Sequence, residues 1–194
     1  MLIEAAKLVL EKNPEAHFAL VGEGTGRRKL GRRVREAIAA RGLENRVHML
    51  GYRWDVPDIM AAASVVAIAS LHTEASPIVL REALASGRAL VATRVGDVEE
   101  VVNDREHALL VSPGQPEELA GAILEFLNNR ELATRCAANG FRLARTHFGF
   151  DQMMERKLKF DTELVRAQGR STRPINRVNQ LPKAPETASV RCKH

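Results

Sequence analysis

The sequence is poor in aromatic residues and in cysteine, and each scarcity excludes a class of protein. Aromatic side chains make up 4% of the 194 residues, too few to favour a stacking surface for single-stranded nucleic acid. The two cysteines, Cys136 and Cys192, lie far apart and lack the spacing of a metal or redox motif. We therefore expect a protein of the reducing cytoplasm.

Long apolar runs are also missing. No stretch has the length needed to span a bilayer, and Met1 is not followed by the basic and apolar segments of a signal peptide. Hydrophobic residues make up 45% of the chain and charged residues 27%, which is ordinary for a globular protein. A chain of 194 residues is long enough to bury a real core.

Positive charge is concentrated in two places. The formal net charge is +5, and much of it comes from residues 27–35 and from the segment after Gly169. Such charge suits nucleic acid, acidic lipid or a phosphate-bearing substrate. It is equally typical of a solvated helix face and a disordered tail. We expect no nucleic-acid partner, and peripheral association with an acidic membrane surface stays open.

Short apolar runs alternate with stretches of helical periodicity. The alternation predicts an α/β, Rossmann-like fold, with a parallel sheet of about six strands and helices on both faces. The predicted strands are 17–21, 47–50, 65–69, 89–92 and 107–111. The predicted helices are 2–12, 27–41, 56–62, 76–85, 98–102, 116–128, 131–144 and 150–167. Ligands of such sheets bind at the carboxyl ends of the strands.

The end of the chain has a different composition. Residues 169–194 are polar, contain proline and show no periodicity, which predicts a disordered tail after a domain spanning residues 1–168. The helix before the tail has apolar positions that we expect to be uncovered, so that it packs on another domain or forms a dimer. They are Phe150, Met153, Met154, Leu158 and Leu164.

A glycine cluster after the first strand resembles a dinucleotide-binding fingerprint but does not match it. The fingerprint requires G-x-G-x-x-G. Counting from Gly22 and Gly24, the third position is Arg27, and Gly26 comes one residue too early. We interpret the cluster as a tight turn between a strand and a helix rather than a nicotinamide or flavin site.

The segment from Ser70 to Gly87, SLHTEASPIVLREALASG, carries a different anion-binding signal. Ser76 has the side chain of a helix cap, and Pro77 suits the first helical position. The amides of Ile78 and Val79 then lie in a first turn, where backbone N–H groups have no partner within the helix. The positive end of the helix dipole makes such a turn an anion site.

Two carboxylates flank that helix start. Glu74 lies two residues before the cap, at the rim of the predicted anion site. Glu82 lies in the second turn of an almost entirely apolar helix, where a carboxylate is costly unless its oxygens are satisfied. The two hydroxyls of a sugar diol would satisfy them. The alternatives are that Glu82 pairs with an arginine such as Arg81 or reaches solvent.

These residues resemble a known family. The spacing of Glu74 and Glu82 within TEASPIVLREALASGRALVATRVGDVEEVV is similar to that of the donor-binding, C-terminal half of retaining GT-B glycosyltransferases, group 1 type. The segments FALVGEGTGRRKL, VHMLGYRWDVPDIMAAASVVAIAS and NDREHALLVSPGQPEELAGAIL resemble that family in the same order. The match covers residues 2–148, and the combination of motifs is highly specific.

The resemblance implies a hexosyltransferase that uses a nucleotide-diphosphate sugar, without a further cofactor. It implies that Glu74 is the catalytic residue, contacting donor-sugar hydroxyls near the reacting carbon. The amides of Ile78 and Val79 would hold the diphosphate, and Glu82 would accept the ribose hydroxyls. The family commonly works without a metal, and no D-x-D pair is present here. Helix dipole and cations would then stabilise the leaving diphosphate.

The same resemblance implies roles for two further loops. The turn of Gly51, Tyr52 and Arg53 would seat the base through its backbone, and Gly22 would let the first loop approach the donor closely.

The sequence also departs from the family pattern. Ala75 and Ser76 stand in the donor-binding loop where the family usually has Gly-Phe or Gly-Leu, whereas Pro77 agrees. Further on, Asp97 and Glu99 replace a glycine and a proline. We regard these as modest changes.

A larger difference lies upstream. In the family, a strand and loop with an arginine and a lysine for the diphosphate precede the helix that here begins at Met1, and an acceptor-binding domain precedes them. We therefore expect a partial enzyme that binds nucleoside diphosphates weakly. We also expect it to need an acceptor-binding domain or partner chain. The alternatives are a non-catalytic nucleotide-binding module, a nucleotide-sugar epimerase of the same fold and, last, a nucleic-acid binder.

Overall fold

The computed structural model describes residues 1–22, 28–72 and 78–167, with the backbone alone at residues 28–30, 150, 151 and 167. Its strands are β1 Phe18–Val21, β2 Val47–Gly51, β3 Val65–Ile68, β4 Ala89–Thr93 and β5 Leu109–Val111. Its helices are α1 Leu2–Lys12, α2 Arg28–Ala39, α3 Val56–Ala62, α4 Ile78–Ala85, α5 Val98–Val101, α6 Pro116–Asn128, α7 Arg130–His147 and α8 Phe150–Ala167.

The predicted order of strands and helices is confirmed. The largest shift of a boundary is at α7, which continues to His147 instead of ending at Ala144. Its last turn contains Arg145 and His147, and basic side chains there favour the negative end of the helix dipole. The strand expected from His107 begins at Leu109, because the chain before it forms an isolated bridge between Asp104 and Ala108.

The strands form two parallel sheets rather than one. β1 pairs with β2, and β3, β4 and β5 pair in that order, every pairing being parallel. The expectation of a single sheet of about six strands is therefore wrong for the described residues, which contain five strands. β1 and β3 are not hydrogen-bonded to each other, so the two sheets do not join.

The core is built around β4, which is buried along its whole length. Ala89 and Val91 belong to a cluster that contains residues of α1 and α6, whereas Leu90 and Ala92 belong to a second cluster with residues of α4. This alternation follows from the two-residue period of a strand. It places one helical layer on each face of β4.

The chain divides into two compact units, Met1–Met153 and Met154–His194. α8 runs across this division, and several of the apolar side chains expected to be uncovered are indeed exposed: Met153, Leu158 and Leu164, together with Phe160 and Val165. The proposed docking of this helix and the domain boundary at residue 168 stay predictions. The tail, 169–194, lies outside the described residues.

Two further features bear on the expectations from composition. In the described part of the chain, no helix is long and apolar enough to cross a membrane. The thiol of Cys136 is buried and lies 3.4 Å from the carbonyl oxygen of Arg105, to which it donates. Burial raises the pKa of this thiol, so it is a packed side chain rather than a reactive one.

The packing of α7 against α4 predicts opposite effects for two glycine substitutions. At Gly140 an added Cβ would lie 2.8 Å from Cδ2 of Leu84 and 3.3 Å from the carbonyl oxygen of His107. Overpacking of this kind costs about 1–3 kcal/mol, against a gain of about 1 kcal/mol in helix propensity. Gly140→Ala should therefore lower the free energy of unfolding.

The matched control is Gly121→Ala in α6, where an added Cβ meets none of the described residues within 4 Å. This variant should gain up to about 1 kcal/mol. Urea unfolding of both variants and the parent measures the difference. Equal midpoints for the two variants would contradict the close approach of α7 to α4.

Candidate functional site

The structure brings two of the predicted loops together at the carboxyl ends of the strands. Gly22 follows β1, and its N–H donates a hydrogen bond of 2.8 Å to the carbonyl oxygen of Gly51 at the end of β2. Both glycines have a positive φ, +117° and +67°, which residues with a Cβ rarely adopt. Among the described residues, nothing lies within 4 Å of the position that a Cβ of Gly22 would take.

The turn after β2 presents aromatic side chains to solvent. Tyr52 is 55% exposed and Trp54 is 88% exposed, and their rings meet edge-on with centroids 5.0 Å apart. Between them, Arg53 donates to both carboxylate oxygens of Asp55, at 2.7 and 2.5 Å. These hydrogen bonds lower the pKa of Asp55 and raise that of Arg53. The ion pair joins Arg53 to Asp55 within the turn, and the rings of Tyr52 and Trp54 lie on the surface of the turn.

The helix α4 has one buried and one exposed face. Leu80, Ala83 and Leu84 are buried. Ile78, Val79 and Glu82 are exposed. Residues three and four apart lie on the same side of a helix, so Glu82 lies on the same face as Val79 and Ile78.

Glu82 reaches solvent, which was one of the alternatives left open by the sequence, so the expected cost of burying its carboxylate does not arise. Within the part of the chain that the structure describes, its carboxylate forms no hydrogen bond or ion pair and is open to solvent. Arg81 points elsewhere, with its guanidinium 5.0 Å from the centroid of the Phe148 ring. Burial therefore does not force a partner on Glu82, and its two oxygens are open to donors from a ligand.

Four of the predicted site residues cannot be placed. Glu74, Ala75, Ser76 and Pro77 lie outside the described residues. The catalytic role of Glu74 and the capping of α4 therefore stay predictions.

One residue that anchors this region was missed by the sequence reasoning. Thr93, at the end of β4, is fully buried, and its Oγ1 donates a hydrogen bond of 2.8 Å to the carbonyl oxygen of Ser70. This bond fastens the chain leaving β3, just before the segment that contains Glu74. The available signal was a hydroxyl residue closing the otherwise apolar strand ALVAT.

Arg94 was also missed and explains a departure from the family pattern. It donates to Glu99 at 2.6 Å and to Asp104 at 2.7 Å, and the bond to Glu99 contributes most to raising its pKa. Glu99 therefore serves a structural ion pair that the usual proline could not form.

The described residues contain no group of three or more His, Cys, Asp or Glu side chains that could hold a metal ion. What these residues do offer is a pair of joined glycine turns, exposed aromatic rings and a carboxylate beside a helix start.

Comparison with known proteins identifies the family. Residues 1–129 match the family described as Glycosyl transferases group 1. The chain belongs to this family. The resemblance inferred from the sequence is thereby confirmed. Among curated relatives, this chain is 30% identical to the alpha-D-kanosaminyltransferase of Streptomyces kanamyceticus over 139 residues, which is 71% of this chain and 35% of that protein.

Comparison with solved structures supports the same family and identifies the fold. HepE of Anabaena in complex with UDP is 29% identical, with a TM-score of 0.79, and the match covers 84% of this chain and 44% of HepE. The C-terminal domain of a group 1 family glycosyl transferase from Francisella tularensis is 26% identical, with a TM-score of 0.69. The match covers 76% of this chain and 77% of that domain. The chain thus has the GT-B, Rossmann-like architecture and spans less than half of the longer relatives.

The hydrogen bond from Thr93 to Ser70 leads to a test. Thr93→Val keeps the side-chain volume but removes the hydroxyl that donates to the Ser70 carbonyl, at a cost of about 0.5–1.5 kcal/mol for the lost hydrogen bond. We expect lower stability and faster hydrogen exchange in residues 70–72. Thr93→Ser keeps the hydroxyl and should keep slow exchange in this segment. Equal exchange in Thr93→Val and Thr93→Ser, measured by mass spectrometry, would show that the hydroxyl does not hold the segment.

Proposed function

We propose that this chain is the donor-binding part of a glycosyltransferase that transfers a sugar from a nucleotide-diphosphate sugar to an acceptor, with retention at the anomeric carbon. The observation that carries the proposal is the exposed face of α4, where Glu82 lies on the same side as Ile78 and Val79. A helix start offers amides to a diphosphate, and a carboxylate one turn further offers acceptors to a ribose diol.

The joined turns support a place for the base. Gly22 and Gly51 are hydrogen-bonded at the carboxyl edge, and ligands of open parallel sheets bind at this edge. We propose that the backbone of Gly51, Tyr52 and Arg53 receives the base, with the exposed rings of Tyr52 and Trp54 beside it. The Arg53–Asp55 ion pair holds the turn in shape before the nucleotide arrives.

The structural relatives support the ligand class. HepE has been crystallised with UDP and with UDP-glucose, and the chain shares its fold. Because the chain spans 44% of HepE and 35% of the kanosaminyltransferase, we propose that transfer requires an acceptor-binding domain besides this one, in the same polypeptide or in a partner chain.

The proposed reaction breaks one bond and forms one. The bond between the anomeric carbon and the β-phosphate oxygen breaks, and its electron pair leaves with the nucleoside diphosphate. The acceptor oxygen bonds to the same face of that carbon, and its proton passes to the departing diphosphate oxygen. We propose that the first turn of α4 stabilises the charge developing on the diphosphate. Glu74 is proposed to contact the donor-sugar hydroxyls near the reacting carbon.

Glu82 and Glu74 should bind different parts of the donor, the nucleotide and the sugar respectively. Glu82→Gln replaces a charged acceptor by an amide, so binding of UDP and of UDP-glucose should both weaken, by roughly ten- to a hundredfold. Glu74→Gln should leave UDP binding nearly unchanged and weaken UDP-glucose. Calorimetric titration of each variant with each ligand measures both effects, and GDP and GDP-mannose are titrated in parallel.

The control for these titrations is Glu11→Gln, an exposed carboxylate on α1, which should bind like the parent. Thermal melts of all three variants should stay near that of the parent. If Glu74→Gln weakens both ligands equally, the division of roles is wrong. If the parent binds no nucleoside diphosphate, the proposed function fails.

The base can be followed separately, because Trp54 is the one tryptophan of the chain. Its fluorescence should change when UDP or GDP binds beside its ring, and inorganic pyrophosphate should leave it unchanged since it carries no base. Tyr52→Leu removes the neighbouring ring and should alter the size of the signal. Calorimetric binding of a nucleotide without any change in emission would place the base elsewhere.

A further inference from the structure

We propose that a surface cavity at the amino edge of the sheet formed by β3, β4 and β5 binds a phosphate ester of a small polyol, such as a sugar phosphate. The cavity has a volume of about 550 Å³, which lies within the range of small-molecule sites. It is separate from the candidate donor site, and the inference does not rest on the proposed function.

The cavity lies where two parallel strands begin. Ser64 directly precedes β3 and Arg88 directly precedes β4, and both residues line it. The other wall is formed by residues of α7 between positions 133 and 141. Because β4 is five residues long, roughly 15 Å separates this edge from the carboxyl edge. A ligand in the cavity therefore leaves the carboxyl edge free for a nucleotide.

Small residues on both walls make room for a ligand. Gly87, Ala133, Ala137 and Ala138 line the cavity together with Phe141. Gly87 has a φ of +65°, and an added Cβ there would lie 3.7 Å from the ring of Phe141. That ring is 41% exposed. An aromatic ring among small apolar residues, with a few polar groups around it, is the usual lining of a small-molecule site.

The charged groups at the cavity favour an anion. Arg88 is exposed and forms no hydrogen bond or ion pair within the part of the chain that the structure describes. The guanidinium of Arg145 lies 5.8 Å from the centroid of the Phe141 ring and has no carboxylate partner among the described residues. None of the residues found to line the cavity is acidic. A guanidinium without a carboxylate partner can bind phosphate through two parallel hydrogen bonds.

Other arginines of the molecule differ from Arg88 in this respect. Arg53, Arg94 and Arg105 each donate to a carboxylate, at 2.5, 2.6 and 2.6 Å respectively. Their guanidinium groups are therefore held by the protein itself. Arg88 combines an unpartnered guanidinium with a cavity beside it.

Hydroxyl groups in the cavity suit a polyol. The side chains of Ser64 and Thr134 form no hydrogen bond among the described residues, so each hydroxyl can donate to a phosphate oxygen or accept from a ligand hydroxyl. Oγ of Ser86 already donates to the carbonyl oxygen of Ala83 at 2.6 Å, which leaves its lone pairs to accept from a ligand. Donors and acceptors together fit a phosphate ester that carries hydroxyls better than inorganic phosphate.

The end of α4 beside the cavity opposes an anion, but less strongly than the arginines attract it. The carboxyl end of a helix carries about half a negative charge. Here the carbonyl oxygens of Ala83 and Leu84 accept hydrogen bonds from the N–H groups of Ser86 and Gly87, at 3.2 and 3.1 Å. Each guanidinium carries a full positive charge, so the charge around the cavity remains positive.

The test is an NMR titration of the whole chain with glucose 6-phosphate, at constant ionic strength because salt screens exposed charges. The amides of residues 86–89 and 133–141 should shift until they saturate, and excess UDP should not displace the probe. Arg88→Gln should weaken binding by roughly ten- to a hundredfold, since a charged hydrogen bond is lost. The matched control is Arg33→Gln, at an exposed arginine of α2, which should bind like the parent.

A second variant separates the cavity from its charge. Ala138→Leu keeps every cation and places a larger side chain at an exposed residue that lines the cavity, so it should fold normally and weaken binding. Vesicles of phosphatidylcholine with and without phosphatidic acid, which is also a phosphomonoester, are compared by co-sedimentation. We expect no binding to either that depends on Arg88.

Four results would overturn the proposal. The first is saturation without shifts at the cavity amides, or no binding of glucose 6-phosphate at all. The second is an equal effect of Arg88→Gln and Arg33→Gln. The third is unchanged affinity in Ala138→Leu, which would mean that the probe binds surface charge alone. The fourth is binding to phosphatidic acid vesicles that depends on Arg88, without binding of glucose 6-phosphate, which would assign the site to a lipid headgroup.

Discussion

The burial of β4 is the constraint on which the rest of this molecule depends. Its side chains alternate between two helical layers, so Val91 faces the cluster that includes Leu119 of α6, and Leu90 faces the cluster that includes Leu84 of α4. A strand covered on both faces must be apolar throughout, and its carboxyl end is the first place where a polar side chain can stand. Thr93 occupies that place and holds the chain leaving β3. Thr93 therefore connects the buried strand β4 to the chain near the candidate site.

The carboxyl edge differs from the rest of the surface in what it exposes. Tyr52, Trp54, Ile78 and Val79 are apolar or aromatic and largely open to solvent there. Contiguous exposed apolar surface is expected where a ligand or partner binds. We propose that a nucleotide binds at this edge.

The arginines near this edge serve the structure more than a ligand. Arg53 is paired with Asp55, and Arg94 with Glu99 and Asp104. A guanidinium that already has carboxylate partners offers less to a diphosphate than one that lacks them. We propose that the first turn of α4 supplies positive potential for a phosphate here.

The order and bounds of the helices and strands could be read from the sequence, because they follow from local periodicity, capping residues and short apolar runs. The family could be read as well, since Glu74, Glu82 and the loops around them carry a specific spacing. The sequence could not reveal that Glu82 is exposed, that Gly22 and Gly51 are hydrogen-bonded, or that Thr93 anchors Ser70. Gly22 and Gly51 lie 29 positions apart and Thr93 and Ser70 lie 23 apart, so packing has to bring them together. The side of α4 that faces solvent likewise depends on how the helix packs. The division of the strands into two sheets was also decided by tertiary structure alone. An apolar run such as Val65–Ile68 indicates a strand suited to burial on both faces. Which strands lie beside it depends on the other strands present in the folded molecule.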